Sequence, residues 1–343
     1  MPNKALHWMA IPLRSIATSE LWRSARLQNA RNRGADSVPH LVRPRSARRN
    51  KALDTDVTRL HAPSAPQASF HGSAPRLGRP SKNRLKMELW KFFDITHREH
   101  VFCNPMSVEK FEELIALLRL EPEDRVLEIA TGKGEFIIRL AEQYDIEGIG
   151  VDISPYCVSD AKKKHQQRIP DAQLSFVEMD GADYEPKARG SFNLVACIGA
   201  SWIYGGHRGT LKALNEMAAP GGWVIVGEPY WQREPTAEYL EAIGEKRRAY
   251  GTHYENMKVG QEFGLKLVYT LVSNQDDWDR YEGLQWYAAD EWASENPNDA
   301  DVEEVLKRVR ENRENYLKWG RETFGWAIYM FKKEVIKRGS SPD

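Results

Sequence analysis

Cysteine and long apolar runs are both scarce in this chain. The 343 residues include three cysteines, Cys103, Cys157 and Cys197, and no two of them form a CxxC pair. This spacing argues against a disulfide scaffold or a thiolate zinc site, and it favours a reducing compartment. No apolar stretch approaches the roughly 20 residues that span a bilayer, and residues 1–10 lack the long apolar core of a secretory signal. We therefore expect a cytoplasmic protein without a membrane span.

An excess of one charge is also missing, although the zero net charge hides an asymmetry. Residues 1–86 hold 17 Lys and Arg against 4 Asp and Glu, whereas residues 87–343 hold 32 against 45. The second part is acidic, which argues against nucleic acid as its main partner. Apolar residues make up 41% of the chain, enough for a sizeable core.

Residues 1–86 are rich in Arg, Ser, Ala and Pro and show little periodicity. We expect them to form a mostly disordered basic extension. Three explanations remain open: a translated upstream extension with Met87 as the natural start, a functional basic tail, and an organelle transit peptide. The folded domain is expected to cover residues 87–343.

The pattern of apolar residues changes at Met87 and then switches repeatedly between helical and strand periods. Helices are expected at 88–100 and 108–118, with Ser107 as the cap of the second. Strands are expected at 125–130, 148–152, 174–179, 192–198 and 223–227, with helices at 135–144, 155–167 and 208–218. This alternation predicts a parallel sheet with helices on both faces.

The carboxyl-terminal part follows a different pattern. Two further strands, at 265–273 and 324–332, flank a charged helical insertion at about 275–322. The sequence therefore predicts a doubly wound α/β fold with a mostly parallel seven-stranded sheet and an antiparallel last strand.

The segment from Arg125 to Phe136 carries the strongest functional signal. It reads RVLEIATGKGEF: a short apolar strand that ends in an acid, a turn with two glycines, and the start of a helix. Glycine lets a ligand approach the backbone closely, and a helix start offers free N–H groups and partial positive charge. The segment predicts a nucleotide-like cofactor at the carboxyl end of the sheet.

Two common nucleotide motifs fit this loop poorly. A G-x-G-x-x-G dinucleotide fingerprint needs a third glycine where this chain has Ile137. A phosphate-binding P-loop needs GK[ST], which the run from Gly132 to Gly134 does not supply. An NAD-dependent oxidoreductase therefore remains an alternative rather than the leading interpretation.

Five ordered elements of residues 87–343 resemble the class I S-adenosylmethionine-dependent methyltransferases, a family with a Rossmann-like fold. Their first motif corresponds to Glu128-Ile-Ala130-Thr-Gly132-Lys-Gly134, in which Ala130 replaces the first family glycine. The other elements are Gly150-Val-Asp152-Ile153, Met179-Asp180-Gly181, the strand from Asn193 to Ala200, and Pro220-Gly-Gly222. Segments 104–107, 199–207 and 227–231 look similar to uncharacterised bacterial small-molecule methyltransferases, a likeness that names no substrate.

The resemblance implies a set of residues that bind S-adenosylmethionine. Asp152 would hold the ribose hydroxyls, because a carboxylate can accept from both hydroxyls of a diol. Asp180 would lie near the adenine amine, although Asp-Gly is also an ordinary turn. The full set carried over is Glu128, Ala130, Gly132, Gly134, Asp152, Ile153, Asp180, Gly181 and Ile198.

Methyl transfer from a sulfonium requires positioning more than a dedicated catalytic group, and a base only for a protonated nucleophile. Residues after strands four and five are expected to face the methyl group. This selects His207 or Glu228 as a base and Tyr204 or Tyr230 to orient the nucleophile. A purely structural role stays open for each; His207, for example, can cap the next helix.

Two other segments have open roles. His97 and His100 belong to a first helix of a kind that often closes over the cofactor in the family, and their spacing is not that of an H-E-x-x-H zinc site. We expect no metal. Trp278, Tyr281 and Trp292 share a helical face of the insertion, which suits either core packing or a substrate lid.

The sequence thus predicts an S-adenosylmethionine-dependent methyltransferase that acts on a small-molecule acceptor by in-line transfer. A nicotinamide oxidoreductase and a non-catalytic relative that binds the cofactor or a partner protein are the alternatives. The oligomeric state, the acceptor and the methylated atom stay open.

Overall fold

The computed structural model describes residues 87–335. The predicted basic extension lies outside these residues, and the 87–343 domain boundary stays a prediction. The strands are β1 (Arg125–Ile129), β2 (Glu147–Asp152), β3 (Leu174–Glu178), β4 (Phe192–Ile198), β5 (Ala218–Trp231), β6 (Leu265–Val272) and β7 (Phe324–Lys333). The helices are α1 (Leu89–His97), α2 (Val108–Leu118), α3 (Glu135–Tyr144), α4 (Pro155–Arg168), α5 (His207–Met217), α6 (Ala237–Ile243), α7 (His253–Glu262), α8 (Gln275–Glu295), α9 (Val302–Asn315) and α10 (Arg321–Thr323).

The strands form one seven-stranded sheet with the order β3-β2-β1-β4-β5-β7-β6. β1 pairs in parallel with β2 and β4, and the parallel pairing extends to β3 on one side and β5 on the other. β7 runs antiparallel to both of its neighbours, β5 and β6. The predicted fold class is confirmed, including the antiparallel last strand.

Both faces of the sheet are buried, which explains the nearly continuous apolar runs of the central strands. Successive side chains of a strand point to opposite faces. Thus Ile225 of β5 packs in one apolar core while Val224 and Val226 pack in the other. The first core also contains Trp278 and Tyr281 of α8, so the inserted aromatic face is core on at least one side.

Local capping explains several helix starts. The Ser107 hydroxyl accepts from the Lys110 amide at 3.3 Å, as expected for α2. α6 and α7, between β5 and β6, were not predicted. α7 nevertheless carries a capping box, in which Thr252 and Glu255 side chains accept from each other's backbone N–H groups at 3.2 and 2.7 Å.

The insertion between β6 and β7 consists of α8, α9, a π-helical turn at Tyr316–Gly320, and α10. α1 packs against it: Phe92 and Ile95 join Ala289, Val305 and Val309 in a small apolar cluster. Within residues 87–335, no helix is both long enough and apolar enough to cross a bilayer.

Candidate functional site

The glycine loop after β1 has an unusual backbone. Ala130, Gly132 and Gly134 have φ angles of +56°, +54° and +72°, in the left-handed region that favours glycine. A Cβ on Gly134 would lie 2.8 Å from Ala161 Cβ and 2.9 Å from the Phe176 ring. Gly134 therefore permits the close approach of the start of α3 to α4 and β3.

Asp152 fixes this loop from the end of β2. Its Oδ2 accepts from the Gly132 amide and its Oδ1 accepts from the Ser154 amide, both at 2.8 Å. Its side chain is buried, and burial raises the pKa of the carboxyl. Each oxygen keeps a second lone pair, so the same carboxylate can accept from two hydroxyl groups of a ligand.

Glu128 stands at the end of β1 beneath the loop. The Thr131 hydroxyl donates to its Oε2 at 2.6 Å. Burial raises the pKa of Glu128 to about 8, so a large share of this side chain is protonated at neutral pH. A protonated carboxyl can donate as well as accept, which suits a polar ligand group in a buried place.

Asp180 and Gly181 form the wall beyond β3. Asp180 Oδ1 accepts from the Ala182 amide at 2.9 Å and so caps a short 3₁₀ turn. The Tyr204 hydroxyl donates to the Gly181 carbonyl at 2.9 Å. Tyr204 thus supports the wall of the site from behind.

Lys133, in the same loop, holds α1 over the site. Its Nζ donates to the carbonyl oxygens of His97 and Arg98 at 2.7 and 3.3 Å. These carbonyls end α1, where the helix dipole favours a cation. The lysine side chain is buried, with 8% of its residue exposed.

The insertion holds α1 from the other side. His97 Nδ1 lies 3.0 Å from the Phe93 carbonyl, to which it donates, so Nε2 accepts from the Tyr281 hydroxyl at 2.8 Å. Burial lowers the pKa of His97 well below its usual range, consistent with a neutral ring. His100 Nε2 donates to the Tyr281 carbonyl at 2.9 Å.

These elements line a pocket at the carboxyl ends of β1, β2 and β4, with a volume of about 1230 Å³ that includes its opening to solvent. Eight of the nine predicted cofactor residues line it, whereas Gly134 lies outside the lining. The eight are Glu128, Ala130, Gly132, Asp152, Ile153, Asp180, Gly181 and Ile198. α1 contributes Trp90, Phe93, Asp94 and His97 to the same pocket.

A second, smaller cavity of about 380 Å³ adjoins this pocket. Cys103, Asn104 and Gly199 line both. The remaining walls come from the segment before α2, β5, the insertion and β7, namely Pro105, Pro229, Trp278, Tyr281, Glu282, Phe324 and Trp326. A large chamber thus adjoins a small one at Cys103, Asn104 and Gly199.

None of the four predicted catalytic residues lines either cavity, and Tyr204 only supports the Gly181 carbonyl from behind. His207 Nε2 donates to the Asn256 carbonyl at 2.9 Å on the other face of the sheet. Tyr230 packs in the core of that face, closely against Gly325. Glu228 is buried in β5, where it pairs with Ala327 of β7. His207, Glu228 and Tyr230 therefore lie outside the lining of both cavities.

The alternation of side chains along β5 is the physical reason why Glu228 and Tyr230 lie away from the cavities. The sequence predicts that β5 ends at residue 227, which would leave 228–231 free to turn towards the ligand. Pairing with β7 extends β5 to Trp231. Glu228 and Tyr230 then point away from the face that carries Gly227 and Pro229, and only the latter pair approaches Trp326 and the small cavity.

Sequence reasoning missed Lys133, Asn104 and Glu282 as site residues. Lys133 stands within the glycine loop itself, and Asn104 within a segment already noted for its resemblance. The available signal for Glu282 was its position four residues after Trp278 on an apolar helix face, where a charged residue is unexpected. In residues 87–335, no three His, Cys, Asp or Glu side chains group as metal ligands would.

The doubly wound sheet and the loop-bound Asp152 define a protein that binds a nucleoside-containing cofactor at the carboxyl ends of its strands. Comparison with known proteins makes the class specific. A family model described as "Methyltransferase domain" matches residues 126–222. The chain is 31% identical to the uncharacterised protein YjhP of Escherichia coli K12 over 245 residues, 71% of this chain and 98% of YjhP.

Solved structures agree. An S-adenosylmethionine-dependent methyltransferase from Geobacter sulfurreducens, in complex with S-adenosyl-L-homocysteine, is 31% identical with a TM-score of 0.66, covering 70% of this chain and 97% of that one. The corresponding complex from Thiobacillus denitrificans is 32% identical with the same TM-score of 0.66, covering 71% and 99%. The chain belongs to the class I S-adenosylmethionine-dependent methyltransferases, and its cofactor is S-adenosylmethionine.

Proposed function

We propose that this methyltransferase acts on a small-molecule acceptor by in-line displacement. The observation that carries the proposal is the pair of adjoining chambers: a large one around Asp152 and a small one reached past Asn104 and Gly199. α1 lines the large chamber and α8 lines the small one, so a bulky protein or nucleic-acid chain would have to displace them. The acidic 87–343 region also disfavours nucleic acid.

The large chamber fits S-adenosylmethionine by the chemistry of its donor set. The Asp152 carboxylate, held by two loop amides, offers free lone pairs to the ribose hydroxyls. Asp180, with one oxygen engaged by Ala182, offers the other to the adenine amine. We assign the remaining binding positions to Glu128, Ala130, Gly132, Ile153, Gly181 and Ile198, all of which line the pocket.

The bound cofactor supplies an electrophilic methyl group on a sulfonium. The protein positions the acceptor and excludes water, because an aligned acceptor gains most of the achievable rate from proximity alone. Lys133 and Tyr281 keep α1 closed over the site through their bonds to Arg98 and His97. Gly199, shared by both cavities, lets an acceptor approach the cofactor past a residue without a side chain.

The test combines binding and turnover on the full chain. Calorimetry should give saturable binding of S-adenosylmethionine and none of NADH. A product-release assay for S-adenosylhomocysteine over a metabolite library should detect turnover that Asp152→Asn abolishes. Turnover on peptides or nucleic acids but on no metabolite would contradict the small-molecule proposal.

We also propose that the protein works in the cytoplasm. Support comes from Cys103, Cys157 and Cys197, all of which have free thiols, the usual state in a reducing compartment. Fractionation with an antibody against the chain would test this location.

A further inference from the structure

The small cavity contains a buried carboxyl group that has no partner in the described part of the chain. Glu282, on α8, is only 3% exposed. No side chain or backbone group among residues 87–335 donates a hydrogen bond to it, and no lysine or arginine pairs with it. A buried carboxyl without a partner is costly, so a ligand is the natural source of its missing donors.

Asn104 presents a second unpaired acceptor at the boundary of the two chambers. It is 9% exposed, and its Oδ1 is buried without a hydrogen-bond partner. Asn104 lines both the cofactor pocket and the small cavity, together with Gly199. A molecule in the small cavity would therefore reach Glu282 and Asn104 from a position next to the transferred methyl group.

Aromatic rings complete the walls. Trp278, Tyr281, Phe324 and Trp326 line the cavity. The Trp278 ring meets the Phe324 ring edge-on at 6.1 Å between centroids and the Tyr281 ring at 6.3 Å. Aromatic faces attract cations and alkyl groups alike, and the attraction to a cation grows when water is excluded.

We propose that the acceptor of this methyltransferase is a small aliphatic amine, methylated on nitrogen, whose N–H groups are received by Glu282 and Asn104. The proposal rests on the small-molecule function given above. Two unpaired acceptors favour an amine over an alcohol, because a primary ammonium supplies three hydrogens and a hydroxyl supplies one. The aromatic walls favour the same cation.

The chemistry balances with residues of the chain. A bound ammonium transfers one proton to the Glu282 carboxylate, which leaves a neutral amine and a carboxylic acid. The nitrogen lone pair then forms a bond to the methyl carbon while the carbon–sulfur bond breaks, and its electron pair stays on sulfur. The product leaves as a methylated ammonium, and Glu282 then releases its proton to solvent, which restores the carboxylate for the next turnover.

The surroundings of Glu282 suit this proton transfer. Burial raises the pKa of Glu282 to about 8, closer to that of an alkylammonium than an ordinary carboxyl would be. The titratable groups that face it are the phenols of Tyr239, Tyr281 and Tyr316, which are neutral in this range because burial raises the pKa of each further. Among residues 87–335, no lysine, arginine or histidine lines the small cavity to compete with the amine.

The experiment measures binding of n-butylamine and of the isosteric n-butanol to the full chain loaded with S-adenosylhomocysteine, by NMR titration at pH 8. We expect the amine to bind at least tenfold more tightly than the alcohol. Glu282→Gln should remove this preference, Glu282→Asp should retain part of it, and Asp290→Asn, exposed on the same helix, should leave it unchanged.

Equal affinity for both probes, including no detectable binding of either, would overturn the proposal, and so would a preference that survives in Glu282→Gln. Mass spectrometry of turnover products provides a second readout: methyl on nitrogen supports the proposal and methyl on oxygen or sulfur overturns it. Turnover of alcohols or thiols would leave the methyltransferase function intact, whereas failure of S-adenosylhomocysteine to bind would refute both.

Discussion

Glu282→Gln should stabilise the protein at high pH, and the effect should reverse at low pH. Burial raises the pKa of this carboxyl from 4.5 to about 8. Each pKa unit corresponds to about 1.4 kcal/mol, so keeping the ionised form buried at high pH costs up to about 5 kcal/mol. Glutamine has nearly the same shape and no charge, but its buried amide costs about 2 kcal/mol without partners. The expected net gain is about 2–3 kcal/mol at pH 9.

The direction in which wild-type stability changes with pH follows from proton binding. Between pH 4.5 and 8 the folded state holds a proton on Glu282 that the unfolded state has released. Wild-type stability therefore falls as pH rises through this window. Glu128, whose pKa burial also raises to about 8, contributes the same slope to both proteins and cancels in their difference.

Thermal unfolding of both proteins from pH 5 to pH 9 would measure the effect. For a domain of this size about 1 kcal/mol shifts Tm by roughly 2–4 °C. We expect a variant roughly 3 °C less stable than wild type at pH 5, where the amide cost dominates, and about 8 °C more stable at pH 9, with Asp290→Asn matching wild type throughout. A Tm difference that is flat across this range would refute the reasoning, because it would show that Glu282 finds a partner when ionised.

Three further predictions test the cofactor side. Asp152→Asn replaces an acceptor oxygen by an NH₂ group that faces a backbone donor. Since hydrogen bonds to a charged group contribute about 1.5–3 kcal/mol each, the Kd for S-adenosylmethionine should rise about 100-fold by calorimetry. A change below threefold would contradict the site. Lys133→Met should speed cofactor dissociation about tenfold in stopped-flow measurements, because α1 loses its anchor. Lys162→Met, a change at an exposed lysine, should leave the dissociation rate unchanged. Equal rates for the two variants would refute the anchoring role. Gly134→Ala should lower Tm by more than about 6 °C, because the added Cβ strains the backbone and overlaps neighbouring atoms. Gly244→Ala should lower Tm by only about 3 °C, because Gly244 has a φ of +70° but open space around it. Equal losses would contradict the packing argument.

The cofactor side could be predicted from the sequence because it uses features that local patterns report. The strand ends at Glu128, Asp152 and Asp180 follow from periodicity, and parallel topology brings such ends to one edge of the sheet. Gly134 is the instructive exception. It belongs to the motif, yet its role is to let α3 approach α4. This role could not be predicted without knowing which residues pack behind the loop.

The acceptor side could not be predicted because it depends on long-range pairing. Gly227 and Pro229 suggest the end of a strand in the sequence, but antiparallel β7 continues the ladder to Trp231. A register set by a distant strand decides which face each residue of β5 occupies. The side chains of Glu228 and Tyr230 were assigned to the ligand by chain position alone, and this pairing turns them away.

The two chambers therefore follow different rules within one sheet. The large chamber is built from consecutive βα units, so the positions proposed for S-adenosylmethionine follow from the fold itself. The small chamber takes Asn104 from the segment before α2, Glu282 from the insertion and Trp326 from the last strand. These three segments are independent of the glycine loop, and the small chamber shares only Cys103, Asn104 and Gly199 with the large one. Changes in the insertion can thus alter the accepted molecule while the methyl donor stays in place, and Glu282 is the position where such a change should act first.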